Sequence, residues 1–240
     1  MQKKYILPFF FTFMFFLNVI PSYALKFYPL NYDKRIDDNG GYGEFTLVNT
    51  SKEPIRYKIE AKKTGKTTDI SDLVTIYPKI LTVEPLEEKS FKVYVNSDSS
   101  LVDGEYSFLL GVKPLKSPSL KENKIGKTSS TFEIKQALEL EIFAYVGDLN
   151  KKFELSNQKF YEKDGLRKFK SNVKNSTGRG YELAVGFTDS NNVLLPVLYP
   201  VGRLFNGNET VIDVEIPQHA KNIIFYDYNN NKVLNQNVKI

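Results

Sequence analysis

Wherever apolar residues cluster in this chain they recur at every second position, and that spacing confines the fold to β-sheet. Phe45-Thr-Leu47, Ile55-Arg-Tyr57-Lys-Ile59-Glu-Ala61 and Phe91-Lys-Val93-Tyr-Val95 each put apolar side chains on one face of an extended backbone. Tyr106 to Val112 does the same through Phe108 and Leu110. Turn chemistry separates these runs: Asp37 to Gly41, Asn49-Thr-Ser-Lys-Glu-Pro54, Pro85 to Glu88, and Asp103-Gly104. No segment keeps a three-to-four spacing over three turns, so the expectation is an all-β protein with little helix.

A change of composition between Val146 and Phe153 divides the strands into two series. The second runs through Arg167–Lys174, Tyr181–Asp189, Val193–Leu198, Thr210–Ile216 and Asn222–Tyr228, with a last strand near Val233–Ile240. Turn signals at Asn175-Ser-Thr-Gly178, Asn191-Asn192, Asn206-Gly-Asn208 and Asn229 to Asn231 separate them. Short strands at roughly 8–12-residue spacing predict two immunoglobulin-like β-sandwiches, over 25–148 and 149–240. One continuous large sandwich is the alternative.

The N-terminus reads as an export signal. Lys3 and Lys4 precede an apolar run from Tyr5 to Ile20, and Pro21-Ser-Tyr-Ala24 ends it with small residues suited to a signal peptidase. A membrane anchor is the competing reading, since about 20 apolar residues span a bilayer; the helix breaker and small residues favour cleavage after Ala24. No second run approaches that length, so the chain is expected not to be membrane-embedded after cleavage. Cleavage lowers the net charge from +5 to +3, because it removes two lysines and no acid. So slight and scattered an excess forms no patch for nucleic acid.

Two neighbouring segments break the rhythm. Residues 113–130 are lysine-rich, polar and interrupted by Pro114 and Pro118, which predicts a long loop, functional or disordered. After it comes the longest alternating run, Thr131 to Val146, with Phe132, Ile134, Leu138, Leu140 and Ile142 on one face and Glu133, Lys135, Glu139 and Glu141 on the other. At about 3.3 Å per residue it would extend for roughly 50 Å, further than a sandwich of this size covers. Either part of it lies at an open edge able to pair with another chain, or it bends to serve both sheets with every apolar residue in the core.

Catalytic material is sparse. There is no cysteine, which excludes thiol chemistry and thiolate metal sites. The one histidine, His219, sits in a polar turn, and no nucleophile elbow or metalloprotease motif occurs. Glu139 and Glu141 share a strand face but read as charges that guard an edge. Gly178-Arg-Gly180 reads as a hairpin turn, and the oxygen-rich stretches Asp37–Gly41 and Asp227–Asn231 lack calcium-loop spacing. The 15 tyrosines suit a binding surface or a sandwich core. No enzyme, metal or cofactor is expected.

The order of segments resembles the periplasmic pilus-assembly chaperones of the PapD-like type, best over Leu25 to Asp148. The resemblance rests on the opening strand Leu25 to Arg35, on Phe45-Thr-Leu-Val-Asn49, and on Val74-Thr-Ile-Tyr-Pro-Lys-Ile-Leu-Thr-Val-Glu-Pro85. Gly104-Glu-Tyr-Ser-Phe-Leu-Leu-Gly-Val-Lys-Pro114 follows, then the long loop and long strand. The alternative-chaperone pilus type is the more similar variant. The resemblance implies a chaperone that caps pilus or fimbrial subunits by lending them the strand 131–146, with Phe132, Ile134, Leu138, Leu140 and Ile142 as the donated side chains. It also implies a basic pair that anchors the subunit's terminal carboxylate. Arg35, or its neighbour Lys34, stands at the right place on the first strand. The expected lysine position falls near Glu141 or Ile142, so Lys135 is the only base the donor strand offers. An outer-membrane usher as partner, a self-capping dimer when free, and the periplasm as compartment belong to the same implication. A structural or adhesive subunit of a surface fibre is the alternative.

Overall fold

The computed structural model describes residues 25–115, 137–149, 153–228 and 232–240. The export signal, most of the loop 113–130, and Phe132, Ile134 and Lys135 lie outside the described residues. The regular structure of the described chain is β-strand: β1 (Leu25–Tyr28), β2 (Asp33–Arg35), β3 (Gly41–Asn49), β4 (Ile55–Lys62), β5 (Val74–Tyr77), β6 (Ile80–Val83), β7 (Glu88–Val95), β8 (Gly104–Pro114) and β9 (Leu138–Val146) in the first half. The second half holds β10 (Phe153–Lys163), β11 (Leu166–Asn175), β12 (Tyr181–Thr188), β13 (Tyr199–Leu204), β14 (Glu209–Glu215), β15 (Asn222–Asp227) and β16 (Lys232–Lys239). The one helical turn among the described residues, Ser71–Leu73, is of the 3₁₀ kind.

Four sheets result, in the orders β1-β3-β7-β5 and β2-β9-β8-β4-β6 in the first half, and β10-β11-β14 and β13-β12-β15-β16 in the second. Each pair of sheets encloses its own core. The first gathers Phe45, Phe91, Phe108, Leu110 and Ile142, each at most 1% exposed, and Phe45 stacks on Phe27 and Phe91 at 5.4 and 5.6 Å. The second is built on Phe153, Phe169, Phe187 and Phe225. Alternation is the cause: in β7, Phe91, Val93 and Val95 are buried while Lys92 and Tyr94 between them are exposed.

Each sandwich is stitched at an equivalent corner by a buried asparagine. Asn49 Nδ2 donates to the carbonyls of Glu53 and Val83 at 2.7 and 3.0 Å, while its Oδ1 accepts from the Ser51 amide and hydroxyl at 2.9 and 2.7 Å. Asn175 repeats the pattern in the second half. Its Nδ2 donates to the carbonyls of Arg179 and Leu204 at 2.8 and 2.7 Å, and its Oδ1 accepts from the Thr177 amide and hydroxyl at 3.0 and 2.7 Å. Asn-x-Ser/Thr therefore marks a strand end in both halves, because the side chain replaces the ladder partners that the turning backbone loses. The Tyr106 hydroxyl, near the start of β8, donates back to the Val102 carbonyl at 2.8 Å, the corner found in immunoglobulin-like sandwiches.

Three details depart from the sequence expectation. The opening segment is two strands: β1 pairs with β3, and after Pro29, which has no amide proton to donate, the chain crosses to the other sheet, where β2 runs parallel to β9. Val193–Leu198 is not a strand. Asp189 Oδ1 accepts from the amides of Asn191 and Val193, holding a turn, Pro196 interrupts pairing, and the strand beside β12 is Tyr199–Leu204 instead. Finally β10, with few apolar residues to announce it, forms a long hairpin with β11 through Asp164-Gly165, both at positive φ.

Candidate functional site

β9 is paired unequally on its two sides. Along its whole length, from Leu138↔Val112 to Val146↔Gly104, it is bonded to β8. On its other side β2 covers only Phe143 to Tyr145. Among the described strands, the flank of β9 from Leu138 to Ile142 has no neighbour. Its inward face is graded. Ile142 is 1% exposed and sits in the chain's own core, whereas Leu138 and Leu140 pack against that core while keeping part of their surface open.

Across from this flank stands β1, the edge strand of the facing sheet. A groove of about 570 Å³ lies between them, lined by Leu25, Phe27 and Leu30 on one side and Ala137 and Leu138 on the other. Leu30 is 68% exposed. Among the described residues this side of the first sandwich is thus open, with apolar residues on both lips.

The outward face of β9 is charged at one end and aromatic at the other. Lys62 bonds Glu139, and Lys66 bonds Glu141, which also accepts from the Ser107 hydroxyl at 2.8 Å. Burial opposes the charge of Glu141, but these bonds outweigh it and hold its carboxyl below the usual range. Edge charges of this kind discourage indiscriminate pairing.

Phe143 and Tyr145 on the same face receive two arginines from the second sandwich. The Arg179 guanidinium lies between the rings of Tyr145 and Tyr181, 4.0 and 4.1 Å from their centroids. Its Nη1 donates to Asp33 Oδ1 at 2.8 Å, and Nη2 stands 3.6 Å from Asp227 Oδ2. Burial pushes the Asp33 carboxyl up, against the pull of Arg179 and Arg203. Arg203 covers the Phe143 ring at 3.7 Å and bonds Glu105 at 2.6 Å, and Glu105 also accepts from the Gly180 amide at 2.6 Å. β9 is therefore both the open edge of the first sandwich and the strand on which the second one seats.

Of the expected basic anchor, Arg35 and its neighbour Lys34 lie among the described residues. Arg35 is exposed and its guanidinium bonds Asp37, which raises the arginine's pKa. Lys34 is exposed beside it, and Lys135 lies outside the described residues. Sequence reasoning missed Arg179 and Arg203. Gly178-Arg-Gly180 did stand out, and it does form a turn, yet its arginine is 4% exposed because carboxylates distant in sequence meet it. Among the described residues no group of three or more His, Asp or Glu side chains is placed to hold a metal, and no helix is long and apolar enough to cross a membrane.

No family model and no curated protein sequence matches the chain. Solved structures do. The chain is similar to the class 5 fimbriae chaperone CfaA, at 14% identity over 90% of this chain and 97% of that one, with a TM-score of 0.48. It is similar to the E. coli chaperone DraB at 9% identity over 91% and 96%, TM-score 0.49. A third is the Salmonella enterica SafB chaperone in complex with the SafA pilin, at 11% identity over 92% and 97%, TM-score 0.46.

Proposed function

We propose that this chain is a periplasmic chaperone that binds and caps pilus or fimbrial subunits by strand donation, without cofactor or catalysis. One observation carries the reading: among the described strands β9 has no partner from Leu138 to Ile142 on the side facing β1, and an apolar groove runs between the two edges. A subunit strand laid there would pair with β9 through its main chain and receive Leu138 and Leu140, with Phe132 and Ile134 extending the row. Ile142 supports that row from within the chaperone's own core. The apolar part of such a contact contributes roughly 25 cal/mol per Å² buried, and the pairing fixes register. A client of the pilin kind, as in the SafA–SafB complex, is the partner class this reading assigns.

In the same reading the export signal delivers the chain to the periplasm, an outer-membrane usher receives the loaded subunit, and the free protein covers its edge by dimerising. Arg35 and Lys135 stay as the candidate carboxylate anchor, and binding to Arg35 requires that Asp37 release it.

Co-expression with a strand-deficient pilus subunit tests this. The chaperone reading expects a soluble one-to-one complex. Self-polymerisation of the chain into fibres, with no such complex, overturns it in favour of a fibre subunit.

A further inference from the structure

The outer face of the sheet β1-β3-β7-β5 is paved with tyrosine. Register places Tyr42 directly opposite Tyr94, and Tyr77 opposite Lys92, with Tyr28 on the edge strand opposite Thr46. All four rings are open to solvent, from 37% for Tyr94 to 74% for Tyr77. Four adjacent strands make the face about 14 Å wide, at roughly 4.8 Å per strand.

We propose that this face binds a neutral oligosaccharide, with tyrosine rings as stacking platforms for pyranose rings. The argument is what stands between the rings. Glu44 faces Lys92 across the strands at the centre of the patch, and the Thr46 and Ser90 hydroxyls meet at 2.9 Å beside them. A protein interface keeps charge out of its centre, and a membrane-seeking face needs aliphatic residues and a basic surplus. Here Lys26 and Lys92 offset Glu44 and Glu88, so neither an anionic polymer nor a lipid surface is favoured.

Two hydroxyls are already aimed. Tyr28 donates to Glu88 at 2.6 Å and Tyr42 to Glu44 at 3.1 Å, which turns their lone pairs outward as acceptors for sugar hydroxyls. Tyr42 and Glu44 also form the rim of a cleft of about 330 Å³, located where β1 has left the sheet and β3 is paired on one side only. A sugar ring stacked on Tyr42 would reach that cleft with its substituents. Strand donation uses the groove lined by Leu25, Phe27 and Leu138, whereas the tyrosines stand on the outward face of the sheet, so the two activities are separable.

The test is an amide NMR titration of the intact mature protein with cellohexaose and chitohexaose, and with dextran sulfate as the anionic comparison. Shifts confined to β1, β3, β5 and β7 are expected with a neutral hexaose, unchanged between about 50 and 500 mM salt. Tyr42→Ala is expected to weaken binding roughly tenfold. Tyr77→Ser, at a position the fold scarcely buries, should weaken it similarly while thermal stability and subunit capture stay as in the parent. No shift with either hexaose, shifts outside this sheet, or binding of dextran sulfate alone that salt abolishes would each overturn the proposal.

Discussion

Arg179 and Asp33 meet across the joint between the two sandwiches, Nη1 to Oδ1 at 2.8 Å, with side chains 5% and 2% exposed. Removing one partner strands the other in a poorly solvated place, whereas replacing both by apolar groups does not. Arg179→Ala should therefore cost about 3–5 kcal/mol in chemical denaturation. Arg179→Met combined with Asp33→Leu should recover part of that loss, since Asp227 stays behind at the joint. A single Arg179→Ala variant as stable as the parent would show that the joint does not depend on this pair.

The asparagine corners predict matched losses in separate halves. Asn49→Ala or Asn175→Ala leaves two backbone carbonyls without their donors, a loss of about 2–4 kcal/mol at each site. Differential scanning calorimetry should show the first variant lowering the transition of the first sandwich and the second variant that of the other.

Asp69 makes the first sandwich sensitive to acid. It accepts from the Thr64 hydroxyl at 3.0 Å and from the Ser71 amide and hydroxyl at 3.1 and 2.7 Å. Burial raises its pKa, but these bonds and one from the Thr64 amide prevail and hold it below the ordinary 3.8. A carboxyl lowered by folding stabilises the fold above its unfolded pKa, and that share is lost as pH falls through the folded one. Thermal stability should drop below about pH 4, and Asp69→Asn should flatten the drop while lowering stability at neutral pH.

Donation predicts a charge-sensitive edge. Leu140→Glu or Leu138→Glu would put a carboxylate where an apolar side chain enters the client, weakening capture at least tenfold by pull-down. Both residues keep part of their surface open, so circular dichroism should still report a folded protein. Unchanged capture would exclude these side chains from the contact.

How much of this was legible beforehand follows from which forces act locally. Alternation is local, so β4, β7 and β8 stand where period two puts them, as does the described part of the long run, Leu138–Val146, and the Asn-x-Ser/Thr corners were visible as turns. Val193–Leu198 has strand composition, but the Asp189 turn and Pro196 decide against it. β10 was invisible because five consecutive residues, Asn157 to Phe160 among them, point to solvent. The arginine joint was beyond reach for another reason. Asp33 and Arg179 are 146 residues apart, and nothing near either one names its partner. Arg35 was chosen as a candidate anchor by its place on the first strand, which cannot reveal that Asp37, two residues on, bonds it.

The central claim is that the flank of β9 from Leu138 to Ile142 is where a subunit pairs. Amide hydrogen exchange, compared between the free chain and its complex with a strand-deficient subunit, reads this directly. The account predicts new protection at alternate amides of that flank and along β1, with little change in the second sandwich. Protection that appears elsewhere and leaves Leu138 to Ile142 as exchangeable as in the free protein would contradict it.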